Sequence, residues 1–172
     1  MKVNYGKKTK LIIIISILVV SIVLTTSGVI LHILEPGPKT ALTTNEFKKI
    51  AKNNNLNVKN LELTDSSGNP NGNIKEAVNA KSKNGWQIEY YIIKSKKIAK
   101  TVFKDTEQIY LTFKNDLSKE QKKSKENYDV FTMKTQTSFM HVCRVDNTVL
   151  AISADDDDEK QIIKIIKQLG YN

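Results

Sequence analysis

Leu11–Leu34, LIIIISILVVSIVLTTSGVILHIL, constrains this chain more than any other stretch: it holds no Asp, Glu, Lys or Arg, and Lys10 and Glu35 close it at either end. As a helix it rises roughly 36 Å at about 1.5 Å per residue, enough to cross a hydrocarbon core of about 30 Å with some tilt. Inside lipid the backbone must satisfy its own hydrogen bonds, and a helix does so. Lys2, Lys7, Lys8 and Lys10 precede it with no acid among them. Positive residues tend to stay inside, which predicts a basic cytoplasmic tail over residues 1–10 and an extracytoplasmic C-terminal side. Residues 11–34 therefore read as a transmembrane helix kept as a signal-anchor in a single-pass protein of the cell membrane. The rival reading is a cleaved signal peptide, with Leu11–Leu24 as its apolar core and Thr26-Ser27-Gly28 before the cut. It fits less well, because the apolar run resumes at Val29-Ile30-Leu31.

Glu35-Pro36-Gly37-Pro38 stops helix propagation, so residues 35–42 read as a linker and 43–172 as one extracytoplasmic domain. That length is large enough for a real core. The chain carries 27 Lys+Arg against 18 Asp+Glu, a formal charge of +9, and four of those lysines belong to the N-terminal tail. Arg144 is the only arginine. Nucleic-acid sites favour clustered arginine for bidentate and stacked contacts, so scattered lysines interleaved with acids argue against a nucleic-acid partner. They suit a solvated surface near anionic lipid or an envelope polymer. The one cysteine, Cys143, permits no internal disulfide, which leaves the domain to be held by packing.

Thr43-x-x-Glu46 is a capping box, and Leu42 with Phe47 has the spacing of a hydrophobic staple, so a helix starts here and Asn53-Asn54-Asn55 ends it. Residues 56–64 alternate weakly as a short strand, a turn-rich loop follows, and Ile74–Val78 reads as a short helix. Asn84-Gly85 marks a turn before Trp86–Ile93, the most convincing strand, expected to lie centrally. Ser95 caps a long amphipathic helix over residues 96–115, and the charged stretch 116–127 reads as structureless. Tyr128–Lys134, Phe139–Val145 and Thr148–Ala154 read as strands, the last two joined by Asp146-Asn147 as a hairpin. A final helix buries Ile162, Ile163, Ile166 and Leu169, with Gly170 as its C-cap and Tyr171 folding back on it. This order predicts an α+β domain: one antiparallel sheet with helices packed on one face.

No residue set points to catalysis, a cofactor or a metal. Asp155–Asp158 lacks the alternating acids, the glycine and the distal glutamate of a calcium loop, and reads as helix N-terminal charge. His141 and Cys143 share one strand face, and the other histidine, His32, lies in the membrane segment, so zinc lacks ligands. Neighbours side by side on one strand make an awkward Cys-His dyad. Phosphate loops, HExxH and GxSxG are missing. Three residues are candidates for ligand or partner contact: Arg144, as an anion- or partner-binding arginine, and Trp86 and Tyr90. The structural alternative for Arg144 is an ion pair with Glu89 or another sheet acid. Trp86, Tyr90, Tyr91, Phe103, Tyr110 and Phe113 form either core or the lining of a groove between sheet and long helix.

Four features carry a resemblance: Glu46-Phe47-Lys48 opening the domain, Trp86–Tyr91 before Ala99 and Phe103, Arg144-Val145-Asp146-Asn147-Thr148, and the ending Leu169-Gly170-Tyr171. With them the chain resembles small uncharacterised membrane-anchored α+β proteins of Gram-positive bacteria. The resemblance implies an architecture and no reaction. The expectation is a non-enzymatic, membrane-tethered module that binds a membrane protein, an envelope polymer or a small ligand at the cell surface. Two alternatives stand beside it. One is an assembly subunit acting through its transmembrane helix, where Ser16, Ser21, Thr25, Thr26, Ser27 and Gly28 permit close helix contact. The other is an envelope enzyme without a recognisable motif.

Overall fold

The computed structural model describes residues 37–63 and 72–172. The basic tail and the expected transmembrane helix, residues 1–10 and 11–34, lie outside them. Among the described residues no helix is long and apolar enough to cross a membrane. The folded unit runs from Pro38 to Asn172, so it takes in the second half of the stretch read as a linker. Lys39 explains why: its N–H and C=O bond the side chain of Asn127 at 3.3 and 2.7 Å, and its Nζ donates to the Gly170 carbonyl at 2.9 Å.

Helix α1 (Thr44–Asn53) begins at the expected capping box, with Thr43 Oγ1 accepting from the Glu46 N–H and the Glu46 carboxylate accepting from the Thr43 N–H. These bonds hold the exposed Glu46 carboxyl below its ordinary range. Strands β1 (Asn57–Asn60), β2 (Ile74–Lys81) and β3 (Gln87–Ile93) form an antiparallel meander. Helix α2 (Lys96–Leu111) then carries the chain from the middle of the sheet to its far edge. There β4 (Lys119–Ser124), β5 (Tyr128–Lys134), β6 (Ser138–Val145) and β7 (Thr148–Asp155) form a second meander, whose last strand closes onto β3. The result is one seven-stranded antiparallel sheet in the order β1-β2-β3-β7-β6-β5-β4, followed by helix α3 (Glu159–Leu169). β3 is interior, as expected of it. Gly170 ends α3 at φ +74°, a left-handed cap that glycine adopts without a Cβ penalty, and Tyr171 folds back into the core.

Three expectations need correction. The helices cover both faces of the sheet rather than one. α1 and α3 pack over one core with Phe47, Tyr90 and Leu150, while α2 packs over a second with Phe103, Phe131 and Val142. The reason is visible in β6, where Phe139–Val145 is buried at every position; a strand covered on both sides loses its polar alternation. Second, Ile74–Val78 is strand, not helix: it begins β2 and pairs with β3. Five residues nucleate a helix poorly, whereas a strand gains its partners from the sheet. Third, the charged stretch 116–127 contains β4, an edge strand. Lysines on an edge keep it from pairing with other chains while its inner side still bonds β5.

Candidate binding grooves on the two faces of the sheet

The structure places the three candidate residues inside the fold, Trp86 and Tyr90 in one core and Arg144 outside it. Arg144 is 3% exposed. Its Nε donates to Asp129 Oδ2 at 2.6 Å, directly across from it on β5, and its Nη1 donates to the carbonyls of Asp146 (3.0 Å) and Asn127 (3.3 Å). Asp146, at φ +51° in the β6–β7 turn, is also paired with Lys96. Arg144 thus ties two loops at one end of the sheet, with Asp129 as the acid rather than Glu89. Trp86 and Tyr90 belong to the core under α1 and α3. The Tyr90 ring stacks on Phe47 at 4.6 Å, and its hydroxyl donates to the Leu42 carbonyl. Tyr171 OH meets both Tyr90 OH and Thr148 Oγ1, so the hydroxyls form a continuous internal chain.

His141 and Cys143 do share one face, and both are sealed. His141 Nδ1 faces Thr132 Oγ1 and its Nε2 faces the Tyr171 carbonyl, each at 2.9 Å. Burial pushes its pKa down to about 4, so the neutral ring donates from Nε2 and accepts at Nδ1. Burial pushes the Cys143 thiol up to about 12, which removes the thiolate that cysteine chemistry needs. Among the described residues no three His, Cys, Asp or Glu side chains come together as metal ligands. Asp156 and Glu159, from the acidic run, instead hold Lys134 at 2.7 and 2.6 Å.

Among the described residues a groove lies on each face of the sheet. The α2-face groove, about 780 Å³, lies between α2 and the segment after β1, over β2, β3 and β7. Small residues, Ala77, Ala151 and Ser153, lower its floor. Glu89 stands in it, its carboxylate accepting from Tyr91 OH at 2.6 Å and from Gln87 Nε2 at 3.1 Å. Two donors orient the carboxylate and leave acceptor sites unused. Burial and Glu89 together raise the Tyr91 phenol, so it serves as a donor and not as a base. Glu62 adds a second acid, and no lysine or arginine lines the groove among the described residues. Leu61 (37% exposed) and Ile109 (58%) flank it.

The second groove, about 590 Å³, lies between α3 and β4 on the other face. Val130, Phe139 and Ile166 give it an apolar floor. Ile163, expected in the buried stripe of α3, lines this groove, and Ile165 takes the buried place because α3 packs against α1 as well as the sheet. Lysines 119 and 123 of β4 stand on the rim.

The groove beside α2 lies where the sequence left core or groove open between sheet and long helix; the groove beside β4 had no such reading. Tyr91 and Tyr110, two of the aromatics placed between sheet and long helix, do line the first; Phe103 is buried beside it and Phe113 stands exposed beyond α2. The signal for the second was the alternation Lys119-Gln121-Lys123, unreadable without an apolar row to give it a face. No family model matches the sequence, and no curated protein and no solved structure matches it.

Proposed function

We propose that this chain is a non-enzymatic interaction module, tethered to the cell membrane by residues 11–34 with its domain outside, and that the α2-face groove receives its partner. The partner is a segment of another membrane or envelope protein that presents a basic side chain among apolar ones. One observation carries this reading: an oriented carboxylate, Glu89, sits in a groove lined by no lysine or arginine among the described residues and is flanked by exposed Leu61 and Ile109. Four large hydrophobic residues are exposed among the described residues, and two of them, Leu61 and Ile109, line this groove. Apolar exposure of that kind marks interaction surfaces. The reactive groups nearby support binding over turnover, since Tyr91 stays protonated and Glu89 is held by two neighbours.

The test is a photo-crosslinking amino acid at Ile109 in cells making the full chain, with the same group at Lys167 on α3 as control. A discrete protein adduct at position 109, absent at 167 and lost with Glu89→Lys, is expected. Glu89→Gln should weaken it by about tenfold, the effect of one charge-assisted hydrogen bond. Adducts that ignore Glu89, or that form equally at 167, would overturn the reading. Protease shaving of wall-stripped cells tests the orientation: protection of the domain until lysis would place it in the cytoplasm.

A further inference from the structure

Strand β4 divides its charges unevenly between the two faces of the sheet. On the α2 face Glu120 pairs with Lys114 at 2.7 Å, and Lys122 pairs with Glu107 of α2. On the α3 face the register puts Lys119, Gln121 and Lys123 opposite Lys134, Thr132 and Val130. That row contains only donors at its charged positions, and neither Lys119 nor Lys123 has a carboxylate in ion-pair range among the described residues. Among the described residues Glu159 is the one acidic side chain in the groove lining, and Lys134 holds it at 2.6 Å. Protection of an edge strand explains why β4 is rich in lysine. It does not explain why Lys122 is ion-paired on one face while Lys119 and Lys123 stand without a carboxylate over an apolar trough on the other.

We propose that this trough binds a single-chain anionic amphiphile: an acyl chain lying on Val130, Phe139 and Ile163, with its carboxylate held above Gln121 by Lys119 and Lys123. The two lysines are about 13 Å apart along the strand at roughly 3.3 Å per residue, within the joint reach of two lysine side chains. Lys123 Nζ also lies 5.9 Å over the Tyr128 ring, which Lys39 Nζ approaches at 5.1 Å. The volume, about 590 Å³, lies within the range of small-molecule pockets. His141 at the floor contributes no charge, because both ring nitrogens are spent on Thr132 and Tyr171. The site is separate from the α2-face groove and does not depend on what binds there.

The experiment uses the full chain in phosphatidylcholine nanodiscs, titrated with dansylaminoundecanoic acid and with its methyl ester, and with empty nanodiscs as background. The acid should bind at least about tenfold more tightly than the ester, and Lys119→Gln/Lys123→Gln should remove that difference while leaving Glu89-dependent crosslinking intact. Lys119→Arg/Lys123→Arg should keep the preference, and Ile163→Trp, which fills the trough, should remove binding of both probes. Melting temperatures near that of the parent chain certify that the variants fold. Equal binding of acid and ester, an unchanged preference in the glutamine variant, or a charge-dependent signal seen only with phosphatidylglycerol nanodiscs would each overturn the proposal. The last outcome would mean that the lysines meet bilayer headgroups instead.

Discussion

The two faces of the sheet use polar residues in opposite ways. Under α1 and α3 the polar groups lie deep and are spent on one another: His141 on Thr132 and Tyr171, Tyr171 on Thr148 and Tyr90, Tyr90 on Leu42. Its charged groups stay at the margin, Lys119 and Lys123 on β4 and the Lys134–Glu159 pair across the groove from them. Beside α2 the arrangement is reversed. The Glu89 carboxylate stands in the groove with acceptor sites to spare, flanked by exposed Leu61 and Ile109. The contrast separates a polar residue spent on the fold from one with capacity left for the proposed partner. Burial and hydrogen bonding alone do not distinguish them; unused capacity facing a cavity does.

Arg144 offers the largest effect with which to break this distinction. It is a charge fully spent on Asp129 and two carbonyls, so Arg144→Met leaves a buried carboxylate unpaired and should cost about 3–5 kcal/mol in urea unfolding. Adding Asp129→Leu should recover most of that loss, because an apolar pair tolerates a buried site as well as an ion pair does. Failure of the double variant to recover would show that Arg144 has a task beyond its ion pair.

His141 comes next. Its folded pKa of about 4 lies below the ordinary 6.5, so between those values the unfolded chain binds a proton that the folded chain refuses. Stability therefore rises with pH across that window and is lost as pH falls from 6.5 toward 4, by at most about 3 kcal/mol. The urea midpoint should drop accordingly, and His141→Asn should flatten the pH dependence over that interval. The same drop in the His141→Asn variant would assign it to carboxylates instead.

The smallest effect is a matter of access. Cys143 is fully buried with its thiol raised, so a maleimide should label it only on unfolding, whereas a cysteine placed at Thr106, in the lining of the α2-face groove, should react in the native state. Equal rates would mean that one face is looser, or the other more closed, than the structure shows.

Local physics made several elements legible. The capping box at Thr43, the Ser95 cap, the Gly170 stop and the two-residue turn at Asp146-Asn147 appear where short-range chemistry places them. So do the α+β class and the antiparallel pairing, which the strand runs and short turns require. Strand β2 and edge strand β4 were not legible, because neither carries a clear apolar period and both owe their form to a neighbour supplied from elsewhere in the chain. Placement on the two faces was hidden for a similar reason. Trp86, Tyr90, Tyr91 and Tyr110 look alike as sequence, but the parity of β3 and the route of α2 across the sheet send the first two to one core and the last two to the other groove. Sequence by itself determined the apolar segment, the caps, the turns and the fold class, since these depend on residues within a few positions of one another. Tertiary structure alone decided that Arg144 is spent on Asp129, that Glu89 faces a groove, and that Lys119 and Lys123 stand unpaired, because each depends on which distant residue the sheet register brings alongside.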